Sequence, residues 1–78
     1  MNPVYDASFW DNRYAGSDFV FGTAPNAFLA SVAEQIPAGP VLCLAEGEGR
    51  NAVHLARRGH AVTAVDQSTV GLDKAARL

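Results

Sequence analysis

Cysteine is nearly missing from this sequence. Cys43 stands alone among 78 residues, so no internal disulfide can brace the fold. No segment has the basic start and apolar stretch of a secretory signal. With one cysteine besides, a reducing cytoplasm is the expected setting. Positive charge is scarce too: six Lys and Arg against eight Asp and Glu leave a net charge of −2. That excludes the basic footprint by which a protein grips nucleic acid or an anionic membrane, so neither is an expected partner. No apolar run approaches the ~20 residues that span a bilayer. The two histidines, His54 and His60, form no His-x-x-x-His spacing, and there is no Cys-x-x-Cys pair, so no metal site is expected. Internal repeats and low-complexity tracts are absent. Length is short as well. The chain makes one domain at most, and a core of this size supplies only ~3–5 kcal/mol.

What is present has a clear order. Within 1–15 lies a short helical candidate that Asp6 or Ser8 can cap, with Phe9, Trp10 and Tyr14 as aromatic packing bulk. Gly16, Ser17 and Asp18 break it. A second helix is expected after Thr23 as N-cap and Pro25 in the first turn, where a missing N–H costs nothing. Its apolar stripe is Phe28, Leu29, Val32 and Ile36. Pro37, Ala38, Gly39 and Pro40 turn the chain. Residues 41–44 are a short apolar run flanked by Pro and Gly, which favours a buried strand. Residues 51–58 read as a helix with Ala52, Val53, Leu55 and Ala56 available to a sheet. Arg57 and Arg58 suit its last turn, and Gly59 suits a left-handed cap. Residues 61–65 read as a second strand, and Ser68 can cap a last helix.

Two parallel strands are too few, because a parallel sheet needs several strands and cover on both faces. The sequence also ends within an apparent helix, "VGLDKAARL", with no Gly, Asn or Pro to stop it. The expected fold class is therefore α/β: a Rossmann-like βαβ with N-terminal helices, an incomplete portion of a doubly wound parallel sheet. Residues 1–39 form the helical lead-in and 40–78 the βαβ unit. Either a larger fold continues it, or other copies complete the sheet by oligomerisation or strand exchange.

The turn between the strands carries the chemistry. A strand feeding a helix through a glycine turn aims unpaired backbone N–H groups at a ligand beyond the strand's carboxyl edge. Gly47 and Gly49 remove Cβ atoms that would block close approach. "GEGRNA", 47–52, matches G-x-G-x-x-A. Asp66 ends the next strand on the same sheet edge, about 20 residues on, where a carboxylate accepts hydrogen bonds from vicinal ribose hydroxyls. The turn also carries Glu46 and Glu48. Added negative charge does not suit a pyrophosphate at a helix N-terminus, whereas a cationic nucleoside such as S-adenosylmethionine tolerates it. Arg50 lies in the same turn. The plain alternative is a tight connection whose glycines are steric and whose acid caps the next helix.

On these residues the chain resembles the first half of a class I S-adenosylmethionine-dependent methyltransferase. It is most similar to the tellurite-resistance and thiopurine methyltransferase-like group. "VLCLAEGEGRNAVHLARRGHAVTAVDQSTVGLDKAARL" carries the resemblance, and "FWDNRYAGSDFVFGTAPNAFL" looks like that group's lead-in. The resemblance implies S-adenosyl-L-methionine as cofactor and a small-molecule methyl acceptor. It places Ala45, Glu46, Gly47 and Gly49 in the loop beside the methionine part and adenosine. It places Asp66 on the ribose and Gln67 near the adenine. Phe21 and Gly22 fall in the segment closing over the cofactor, with Tyr14 a weaker candidate. Two departures stand out. Ala45 replaces the first loop glycine, and Cys43 replaces a common acidic residue of the first strand. The acceptor site and catalytic residues of the family lie beyond position 78, so these residues alone are expected to have little or no activity.

Other readings stay open. Cys43 has no basic neighbour in its apolar run and reads as a buried inert thiol. Glu48 reads as a solvated turn residue, and Glu46 as a cofactor contact within the loop. "ARRG", 56–59, reads as a solvated helix end. The same motif also fits an NAD(P)-binding Rossmann unit of an oxidoreductase, although about 40 residues precede the first strand. A non-catalytic assembly module with exposed strand edges is the third class.

Overall fold

A computed structural model describes residues 5–78, so the start of the first helical candidate, 1–4, lies outside the described residues. Two helices come first: α1 (Ala7–Tyr14) and α2 (Ala27–Val32), the latter tightening into a 3-10 turn (Ala33–Gln35). Then follow β1 (Pro40–Leu44), α3 (Arg50–Arg57), β2 (Ala61–Val65) and α4 (Thr69–Arg77). The chain is thus α/β, with β1 and β2 paired in parallel, Val41 opposite Val62 and Cys43 opposite Ala64.

The caps follow from side-chain chemistry. Asp6, not Ser8, caps α1 by accepting from the Phe9 N–H at 3.0 Å. Asn26, not Thr23, caps α2. Its Oδ1 accepts from both Phe28 (3.0 Å) and Leu29 (3.1 Å), so one side chain satisfies two of the helix's orphan donors. Pro25 therefore precedes the cap instead of occupying the first turn. The α2 stripe also shifts. Phe28 is 74% exposed, and the inward line is Leu29, Ala33 and Ile36, at i, i+4 and i+7. Ser68 caps α4 as expected, accepting from Gly71 N–H at 3.0 Å. Gly59 follows α3 in the left-handed conformation.

Only one face of the sheet is covered. Val41, Cys43, Val62 and Ala64 meet Ala33, Ala52, Leu55, Leu29 and Ile36 in the core. The alternate residues point the other way, leaving Leu42 62% and Leu44 69% exposed. Behind the turns, α1 packs on α4, and three residues approach closely. A Cβ at Gly71 would lie 3.0 Å from the Gly47 carbonyl oxygen and 3.0 Å from Tyr14 Cδ2.

Ala45 is the one non-glycine residue among those described with positive φ, at +53°. The loop thus keeps its left-handed start despite losing its first glycine. An L-residue there costs ~1–2 kcal/mol, while glycine's extra unfolded-state freedom costs ~0.5–1 kcal/mol. Ala45→Gly is accordingly expected to raise stability by ~0.5–1 kcal/mol, read as a higher urea midpoint. A lower midpoint would show that the Ala45 methyl makes packing worth more than the backbone relief.

Candidate functional site

The site forms where β1 and β2 end. From Leu44 the chain enters the 45–49 loop, and from Val65 it enters the turn that starts α4. The Glu46 N–H donates to the Val65 carbonyl at 3.2 Å, so the two exits stay side by side. Asp66 then joins them. Its Oδ2 accepts from Gly47 N–H at 2.7 Å and its Oδ1 from Ser68 N–H at 2.8 Å. A carboxylate offers about four lone-pair sites, so roughly two remain for other donors. Ser68, fully buried, also donates its hydroxyl to Asp11 Oδ1 of α1 at 2.6 Å.

Glu46 turns back on the helix it introduces. Its Oε2 accepts from Ala52 N–H at 3.0 Å, placing a carboxylate against the first amides of α3. It also holds Cys43. Burial first, then the Glu46 charge and a hydrogen bond to it, push the Cys43 thiol above its ordinary range. The thiol is buried and poorly ionised, which makes it an inert packing group.

Glu48 is the main departure from expectation. It is not solvated but 5% exposed. It pairs with the ammonium of Lys74, itself 5% exposed on α4, and its Oε1 accepts from Val20 N–H at 2.7 Å. Lys74 also donates to the carbonyls of Asp18 (2.6 Å), Gly16 (2.8 Å) and Tyr14 (3.2 Å). The lysine gathers the lead-in against the back of the loop.

Two adjoining cavities open over this floor and share Tyr14, Phe21 and Ala45. One, of about 180 Å³, is further lined by Gly22, Glu46, Glu48, Gly49, Arg50 and Asn51. The other, of about 510 Å³, is further lined by Trp10, Val65, Asp66 and Gln67. Of the residues singled out from sequence, Ala45, Glu46, Gly49, Phe21, Gly22, Asp66 and Gln67 border one or both. Gly47 borders neither. It is buried beneath Tyr14, whose hydroxyl would lie 2.7 Å from an added Cβ. Gln67 spends its amide on the Tyr5 carbonyl at 3.1 Å.

Sequence reasoning undervalued two aromatics. Trp10 and Tyr14, one helical turn apart on α1, stack with ring centroids 5.6 Å apart and a 24° interplanar angle, and both line the larger cavity. Burial first, then the Asp66 and Glu48 charges, raise the Tyr14 phenol above its ordinary range, so it stays a neutral donor. The i, i+4 spacing of the two rings on a capped helix was the available signal. Aromatic walls, an acid with spare lone pairs and a loop amide floor suit a neutral or cationic nucleoside. Neither cavity holds His or Cys, and among the described residues no cluster of His, Cys, Asp and Glu is arranged to hold a metal. No helix among them is long and apolar enough to cross a membrane. Neither any protein-family model nor any curated protein sequence matches the chain.

Proposed function

We propose that this chain is the cofactor-binding part of an S-adenosylmethionine-dependent methyltransferase, built on a doubly wound sheet, whose acceptor is a small molecule. The observation that carries the reading is the convergence of Asp66, the 45–49 loop and the Trp10, Tyr14 and Phe21 rings on one cavity at the carboxyl edge of a parallel pair. The bound cofactor would supply an electrophilic methyl group. The chain's own residues bind and orient it: Asp66 accepts from the ribose hydroxyls, and the rings flank the base. The open sheet face, with Leu42 and Leu44 exposed, supports a larger sheet with a second covering layer, from further chain or a partner copy.

Glu46 favours this reading over a dinucleotide. With its carboxylate already on Ala52 N–H, a pyrophosphate at the start of α3 would meet a like charge. Titration calorimetry of the chain with S-adenosylhomocysteine, with NADH as competitor, tests the assignment. Saturable binding that NADH does not displace is expected. Asp66→Asn keeps one carbonyl acceptor for the backbone but loses the charge, and is expected to weaken binding by ~1.5–3 kcal/mol with an unchanged circular dichroism spectrum. Unchanged affinity would remove the ribose assignment, and displacement by NADH would favour the oxidoreductase.

A further inference from the structure

We propose that Lys74 is a positioning residue for the candidate site: from the back of α4 it holds 16–22 in place as the cavity's outer wall. The inference rests on the cofactor reading only for the identity of what lies behind that wall. Residues 16–22 form neither helix nor strand, so no ladder of backbone hydrogen bonds holds them. Their one internal bond joins the Gly22 N–H to the Phe19 carbonyl at 3.0 Å. Every other tie runs to the buried pair. The carbonyls of Gly16 and Asp18 accept from Lys74 Nζ, Val20 N–H donates to Glu48, and the Lys74 ammonium lies 4.9 Å from the Phe19 ring centroid.

The ammonium has three protons. It faces three carbonyls and a carboxylate, so its donors are fully used and its charge is matched in a site closed to water. Fixing Phe19 and Val20 in this way fixes the next two residues, Phe21 and Gly22, which line the cavities. Phe21 is 54% exposed and has little packing of its own to hold it there. The lysine therefore acts on the ligand through the wall, without touching it: Lys74 lines neither cavity.

Hydrogen exchange on the full chain tests this with the double variant Lys74→Met/Glu48→Gln. That pair of changes removes both buried charges together and leaves a carbonyl for Val20. The amides of Val20 and Gly22 are expected to exchange at least 10-fold faster, while those of Val53 and Val62 keep their protection. S-adenosylhomocysteine affinity should fall at least 10-fold in the same protein. Unchanged exchange at Val20 and Gly22 would overturn the proposal. So would equal loss at Val53 and Val62, which would make the pair an element of global stability. Unchanged affinity with faster exchange would overturn the wall's part in the site. Expected exchange in a chain whose native form binds no S-adenosylhomocysteine would uphold the anchoring of 16–22 and remove the cofactor reading.

Discussion

Gly49→Ala is expected to lower stability by ~2–5 kcal/mol, as much as the whole core of so small a chain supplies. Two independent terms add. Gly49 has φ +89°, where an L-residue is strained by ~1–2 kcal/mol. Its added Cβ would also lie 2.5 Å from Ala75 Cβ and 3.0 Å from Ala75 Cα. The second contact is with backbone, so no side-chain rotation relieves it; α4 must shift, at ~1–3 kcal/mol. Urea denaturation followed by far-ultraviolet circular dichroism reads the loss. Adding Ala75→Gly separates the terms, because it removes the Cβ clash but not the backbone strain. The second change should recover part of the loss. A Gly49→Ala protein as stable as the native chain would show that α4 does not press on the loop.

That contact explains why the loop was legible in sequence and its surroundings were not. Strand β2, the caps on α1 and α4, Gly59 and buried Cys43 each follow from a signal within a few residues: β-branched alternation, an acid or serine before a helix, a glycine after one. The glycines of the turn belong to the same class. Their reasons, however, turned out to be contacts from far along the chain, Tyr14 on Gly47 and Ala75 on Gly49. Local pattern shows that a site needs glycine, and tertiary packing decides what comes close.

Glu48 shows the same limit with charge. In the motif it looks like any acid in an exposed turn, because nothing in 47–52 announces its partner. Lys74 sits 26 positions on, in what reads as an ordinary amphipathic helix end. One sign was available. Lys74 shares a helix face with Gly71 and Ala75, small residues suited to close approach, and a lysine on such a face must find a partner or leave it. Cap choice at α2 failed for a different reason. Thr23 and Asn26 are both competent caps, and Asn26 wins by reaching two N–H groups while its own N–H donates to Asn51 at 2.7 Å.

Lys74→Met alone is expected to be as damaging as any single change, with ~3–5 kcal/mol lost. The number comes from what remains: Glu48 stays, buried and ionised, with no cation beside it, and three carbonyls lose their donor. The double variant Lys74→Met/Glu48→Gln should regain most of that loss, because a buried pair replaced as a whole is often close to neutral where half of one is not. Far-ultraviolet circular dichroism across urea, on native, single and double variants, separates the cases. A single variant that loses under ~1 kcal/mol would mean that Glu48 escapes to water, as exposed pairs allow. Recovery in the double variant would assign the pair a directing role. The sheet and its core form by apolar burial between α2, α3 and one face of β1 and β2, none of which touches Lys74. What the pair adds is a choice among positions for 16–22, a segment with too few apolar contacts to choose one by itself.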